Sequence, residues 1–189
     1  MIIGIDEVGR GCWAGPVVAA AVGLEPGMLM EGLNDSKLLS ATSRLKLVSQ
    51  IQATTQQIGI GWVWPQEINK VGLTESVRLA MQRAFDQLTL SATEIIIDGS
   101  YNFLAHIPNT VPIVKADGSV SAVSAASVIA KVARDTYMIK IAKKYPEYGF
   151  ESHVGYGTKK HVNALTKYGV LPIHRRNYKP IKRFLADSL

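Results

Sequence analysis

The chain has 189 residues, 47% hydrophobic and 19% charged, and its 21 Lys and Arg outnumber 15 Asp and Glu for a formal net charge of +6. That length sustains one well-buried core and is short for two, so one domain over residues 1–189 is expected, with a basic surface suited to nucleic acid. Cys12 is the only cysteine, which excludes an intrachain disulfide; with no membrane-length apolar run and only five apolar residues ahead of Asp6, the chain reads as soluble and cytoplasmic.

Met1 to Val8 is a short β-branched run that closes on Gly9-Arg10-Gly11, which predicts a strand and a turn. Pro16 to Leu24 suits a second strand, the returning arm of a hairpin. A polar loop surrounds Asn34-Asp35-Ser36-Lys37. A helix follows from about Ala41, with Leu45, Val48 and Ile51 at helical spacing. Gln57 to Trp64 alternates, with Ile58, Ile60, Trp62 and Trp64 set against smaller neighbours, which predicts a third strand. Pro65 opens a short helix. Thr74 is the expected N-cap of a longer one, whose stripe is Val77, Ala80, Met81, Ala84, Phe85 and Leu88.

Glu94 to Ile97 reads as a short buried strand ending at Asp98-Gly99, and Val111 to Val114 as another ending near Asp117-Gly118. The longest helix runs from Ser121 to about Lys144 and is stopped by Pro146. Further helices fit Thr158–Tyr168 and Pro180–Ala186. Three early strands, then two separated by helices, predict a layered α/β fold with a mixed sheet.

Asp98 and Asp117 follow two apolar strands, and Asp6-Glu7 closes the first. If those strands are neighbours, four carboxylates meet at one sheet edge, where mutual repulsion costs stability unless cations neutralise it. An all-oxygen set suits Mg²⁺ or Mn²⁺ better than zinc. Taken singly, Asp98-Gly99 and Asp117-Gly118 also read as ordinary turn dipeptides. Gly9-Arg10-Gly11-Cys12-Trp13-Ala14 fits a dinucleotide-binding pattern on paper. That motif must open a helix, whereas Pro16 and a β-branched run follow here, and acids precede the glycines.

Read together, Asp6-Glu7-Val8-Gly9-Arg10-Gly11, Ala14-Gly15-Pro16, Asn34-Asp35-Ser36-Lys37, Ile97-Asp98-Gly99 and Lys115-Ala116-Asp117 resemble the ribonuclease HII family. Ser124 to Asp135, His153-Val154-Gly155-Tyr156-Gly157-Thr158 and His174-Arg175-Arg176 extend the resemblance, in the family's order, over nearly the whole chain. It implies a ribonuclease H-like fold whose part from about residue 145 to 189 is helical. It also implies a monomeric enzyme with Asp6, Glu7, Asp98 and Asp117 as catalytic and metal-binding carboxylates for two divalent ions. The implied reaction is hydrolysis on the 5′ side of ribonucleotides, in RNA–DNA hybrids or embedded singly in duplex DNA as in ribonucleotide excision repair, leaving 5′-phosphate and 3′-hydroxyl ends. Asp135 is the rival for the fourth carboxylate.

The family's ribonucleotide-reading turn maps to Gly9, Arg10 and Gly11, its sugar-stacking aromatic to Tyr156, and a phosphate-contacting lysine to Lys37. The chemistry is sensible, because glycines admit close backbone approach and a 2′-hydroxyl distinguishes RNA from DNA. On the long helix, Ser124, Ser127, Lys131 and Arg134 share one face opposite Val123, Ala126, Ala130, Ala133 and Tyr137. The first three are read as nucleic-acid contacts, though the same pattern describes a solvated amphipathic face. Cys12-Trp13 departs from the Pro and aliphatic residue that many members carry. The chain shows neither an N-terminal extension nor a clamp-binding tail after Leu185. Two other functions fit part of the pattern. A junction resolvase or integrase of the same broad fold would share the acids but not the Gly-Arg-Gly turn with Tyr156, and a silent nucleic-acid-binding module would have no use for four intact carboxylates.

Overall fold

Two strands that run antiparallel begin the chain: β1 (Ile2–Val8) and β2 (Val17–Leu24), paired from Ile2 with Leu24 to Val8 with Val18. All eight residues of β2 are buried, as its unbroken apolar run requires of a strand covered on both faces. The computed structural model describes residues 1–28, 32–33, 40–90 and 92–186, and the expected loop at Asn34 to Lys37 lies outside them. Helix α1 (Ala41–Thr54) starts where anticipated, and the Ser40 hydroxyl caps it by accepting from the Ser43 amide. Of the expected Leu45, Val48 and Ile51, Ile51 is buried and Val48 half-buried against the core, with Leu47 joining them in place of Leu45, which is 53% exposed.

Strand β3 (Ile58–Val63) pairs antiparallel with β2. Its alternation is as read, but the side that packs most closely against a helix is the glycine side. A side chain at Gly59 or Gly61 would overlap the Ala84 or Ala80 carbonyl of α3 (Leu73–Phe85). Ile60 and Trp62 lie half-buried on the other face. The short helix α2 (Pro65–Val71) precedes α3, and Gly72 joins them as the N-cap of α3, so Thr74 falls inside the first turn and caps nothing. Leu88 lies beyond the helix end and packs against the core from there.

Two parallel strands complete the sheet: β4 (Glu94–Asp98) beside β1 and β5 (Thr110–Ile113) beside β4. The strand order is β3-β2-β1-β4-β5, a mixed sheet. At the edge, β5 is only half covered, with Val111 41% exposed, and the expected Val114 lies past its end. One face carries Ile3, Ile5, Val17, Ala19, Ile95 and Ile97 against α3. The other carries Ala20, Val22 and Leu24 against α1 and the long helix α4 (Ser121–Lys144), whose bounds match expectation. Gly4 makes this second contact possible, since a β-carbon there would overlap the backbone of Ala122.

Beyond α4 the chain is helical, as the resemblance implied: α5 (Phe150–His153), α6 (Lys159–Tyr168) and α7 (Lys179–Ala186). A third apolar cluster of Met138, Ala142, Tyr148, Phe150, Leu165 and Ile181 ties these helices to the end of α4. Burying a side chain such as Phe150 stabilises the fold by about 1.5–3 kcal/mol. This cluster reaches Ala14, and the segment around His174 bridges to it, so the C-terminal helices dock on the loop after β1. The result is the layered α/β fold with a mixed sheet that the sequence predicts.

Candidate active site

Parallel pairing of β1 with β4 aligns Ile5 with Ile97, which sets Asp6 and Asp98 side by side at the carboxyl ends of neighbouring strands. Asp117 arrives on a short 3-10 turn, Ala116–Gly118, that follows β5; Lys115 enters it with a left-handed backbone at φ 58°. One oxygen from each of Asp6, Asp98 and Asp117 lies within 4.8 Å of the others. Strand alternation puts Asp6 on the face of Gly4, toward α4, and turns Glu7 away. Glu7 therefore stands outside that triad. It lines the same cleft and accepts from the Arg10 guanidinium at 3.1 Å.

The electrostatics of the triad are those of a site built for cations. Burial, reinforced by Glu7 and Asp98, pushes the Asp6 carboxyl up to about 7, although a Ser127 hydrogen bond opposes the shift. Burial also raises Glu7, with Arg10 pulling the other way. The buried Asp98 Oδ1 has no hydrogen-bond partner among the described residues. An orphaned carboxylate oxygen beside two other acids costs stability by itself, and a hard divalent cation is the partner that fits an all-oxygen donor set.

The acids open into a cleft of about 350 Å³ lined by Asp6, Glu7, Asp98, Asp117, Arg44, Ser127, Lys131 and Tyr156, among others. Of the side chains expected from α4, Ser127 and Lys131 reach it. Ser124 does not: it is fully buried and its hydroxyl donates to the Asp117 and Val120 carbonyls. Its direct contact with nucleic acid is thus replaced by a hold on the turn that carries Asp117. Asp135 pairs with Lys131 at 2.9 Å, one helical turn away, and takes no place in the triad. Lys37 lies outside the described residues.

Gly9-Arg10-Gly11 follows the acids directly. Gly9 has φ 93°, and a side chain there would strike the Arg134 guanidinium. Arg134 is fully buried and donates to the Pro16, Val154 and Ala14 carbonyls at 2.9, 2.9 and 3.1 Å. Arg175, also fully buried, donates to the Gly15 and Arg10 carbonyls at 3.1 and 3.0 Å. Arg134 is therefore a brace under the turn and not part of a solvated face. Tyr156, 40% exposed, flanks the turn: its ring would lie 3.7 Å from a β-carbon at Gly11, and its hydroxyl shares a hydrogen bond with the buried Cys12 thiol.

Sequence reasoning missed Arg44, which enters the cleft from the first turn of α1, and the bracing role of both arginines. Arg44 carried no signal beyond a helical position. Arg175 stood in the quoted His-Arg-Arg segment without an assigned role, since nothing local distinguishes a buried arginine from a solvated one.

A family model described as Ribonuclease HII matches residues 3–181. A ribonuclease HII of Shewanella halifaxensis is 46% identical over 187 residues, 97% of this chain and 90% of that protein. One of Dichelobacter nodosus is 43% identical over 188 residues, covering 100% and 99%. Among solved structures, ribonuclease H2 of Pyrococcus horikoshii matches with a TM-score of 0.85 at 26% identity, covering 98% of this chain and 97% of that one.

Proposed function

The chain belongs to the ribonuclease HII family and is a metal-dependent endoribonuclease of RNA–DNA hybrids, and from that premise we propose that it also nicks duplex DNA on the 5′ side of a single embedded ribonucleotide. In this reading Asp6, Glu7, Asp98 and Asp117 hold two divalent ions, Mg²⁺ or Mn²⁺. Ions so held would activate the attacking water and stabilise the departing 3′ oxygen. Hydrolysis then leaves a 3′-hydroxyl upstream and a 5′-phosphate on the ribonucleotide. The observation that carries the proposal is the Asp6-Asp98-Asp117 triad, with Asp6 and Asp117 buried and an Asp98 oxygen unpartnered among the described residues, next to a turn open to close approach.

The turn's backbone polar groups at Gly9, Arg10 and Gly11 bond the 2′-hydroxyl, and the Tyr156 ring covers the following deoxyribose, where a hydroxyl would not fit. Ser127 orients Asp6 through its hydrogen bond, and Lys131 offers a cation to the strand. Lys37 is proposed as a further phosphate contact. The reading extends to a single-domain monomer in the cytoplasm, which the lone cysteine suits.

The test uses three labelled duplexes: one with a single ribonucleotide, one all DNA, and one RNA–DNA hybrid. Cutting 5′ of the lone ribonucleotide with the all-DNA duplex intact is expected. A site made to bond a hydroxyl rejects its absence by about 10⁴-fold or more. Equal cutting of the all-DNA duplex, or activity confined to long hybrids, would sink the proposal.

A further inference from the structure

Three buried histidines, none of them lining the cleft, cluster next to the segment that carries Tyr156. His153 and His161 stack with ring centroids 4.6 Å apart, and His161 Nε2 lies 3.0 Å from His174 Nε2. The donors and acceptors at the ends of this pair decide where its protons sit. A backbone amide can only donate, and the Leu171 amide donates to His174 Nδ1 at 2.9 Å; the Leu171 carbonyl lies farther from that nitrogen, at 3.2 Å, and already accepts from the His174 amide, so the closer contact places the His174 proton on Nε2. A backbone carbonyl can only accept, and the Tyr156 carbonyl lies 2.9 Å from His161 Nδ1, so the His161 proton is on Nδ1. The middle bond is then His174 Nε2–H donating to His161 Nε2.

Every bond in the chain from Leu171 to Tyr156 therefore points the same way, and it closes only with both rings neutral. Burial supplies that condition, holding His161 at about 4 and His174 at about 3. The two rings lie between the two parts of the proposed reading pocket. His174 bridges to Ala14, and its neighbour Arg175 donates its amide to the Trp13 carbonyl at 2.8 Å and its guanidinium to that of Arg10. The other end holds the Tyr156 carbonyl.

We propose that His161 and His174 are positioning residues that fix the spacing between the Gly9-Arg10-Gly11 turn and the Tyr156 ring, and so set selectivity for a ribonucleotide followed by a deoxyribonucleotide. The inference rests on the proposed roles of the turn and of Tyr156.

The test compares single-turnover cleavage of the single-ribonucleotide duplex with that of the hybrid, as a ratio. His174→Asn keeps an acceptor at the Leu171 amide but cannot reach His161; His174→Gln keeps a donor toward His161. Losing one buried hydrogen bond is expected to lower the ratio about tenfold in the Asn variant, with Gln within about twofold of the parent. His161→Asn, which retains only the Tyr156 contact, should match His174→Asn and carries the same test if that variant does not fold. Mn²⁺ affinity by calorimetry should be unchanged in all three. In a Tyr156→Ala background, His174→Asn should have no further effect on the ratio. An unchanged ratio in folded His174→Asn, while Tyr156→Ala lowers it, overturns the positioning role and leaves the reading of Tyr156 intact. An equal drop in both backgrounds also overturns it. No effect from Tyr156→Ala itself removes the reading of Tyr156, and the positioning role with it.

Discussion

Asp6 concentrates the electrostatic cost of the site. Unfolded, an aspartate ionises near 3.9; folded and metal-free, Asp6 keeps its proton to about 7. The folded chain thus holds the extra proton between those values, and stability is lost as pH rises through that window. Asp6→Asn removes the cost. At pH 8 without metal this variant should melt a few degrees above the parent, at about 2–4 °C per kcal/mol for a chain of this size. It should also lose cleavage; a lower melting temperature, or near-parental turnover at matched Mg²⁺, would contradict the assignment. Asp117 and Asp135 make the second comparison. Asp117 belongs to the triad while Asp135 is spent on Lys131, so Asp117→Asn should lower the maximal rate at least about 100-fold and Asp135→Asn less than about tenfold. The reverse order in single-turnover kinetics would exchange their roles. Asp6 and Asp98 were readable because each ends an apolar strand; that Glu7 would stand outside the triad was not, since strand alternation separates adjacent acids only once the faces are known.

Strand β3 shows what one element demands of its residues. Its glycines admit α3 to close range, and its open edge is closed by side chains of that same region. Gln87 donates to the Ile60 carbonyl at 2.9 Å and accepts from the Ile60 amide at 3.2 Å, while Arg83 donates to the Trp62 carbonyl at 2.6 Å. With those three groups occupied, the middle of this edge is blunted against pairing with another chain. Gly61→Ala would drive a methyl into the Ala80 carbonyl, an overpacking expected to cost about 1–3 kcal/mol. Urea unfolding checks this, and an unchanged midpoint would mean that α3 is free to shift. The period-two pattern was visible in the sequence. Which face it buried was not, because a strand whose helix needs room reverses the usual rule of large residues inward.

Over the whole molecule, the contact between the C-terminal helices and the loop after β1 is held by neutral histidines and buried arginines. His161 and His174 have folded values of about 4 and about 3, below the ordinary 6.5. Between these values the unfolded chain binds more protons, so their contribution is complete above 6.5 and is lost as pH falls toward 4. Each proton taken up steepens the loss by about 1.4 kcal/mol per pH unit. Asp6 titrates in an overlapping window with the opposite sign, so the parent and His174→Asn are compared as a difference. The variant should lose less stability than the parent between pH 6.5 and 4; parallel profiles would show that His174 is not held neutral.

By itself the sequence determined the order and type of elements, the mixed sheet, the helical C-terminal part, and the family. Those features rest on local periodicity, on turn residues, and on motifs that survive as short strings. Only the tertiary structure decided that Ser124 supports Asp117 from within, that Arg134 and Arg175 lie beneath the Gly9-Arg10-Gly11 turn, and that His174 and His161 link the segment bridging Ala14 to the Tyr156 carbonyl. The two arginines pair with residues more than 100 positions away, Arg134 with Pro16 and Arg175 with Arg10, while the Ser124 and histidine contacts are nearer in sequence but carry no local signal. A polar side chain on a helix looks the same in sequence whether water or a distant carbonyl satisfies it, and only packing removes the water.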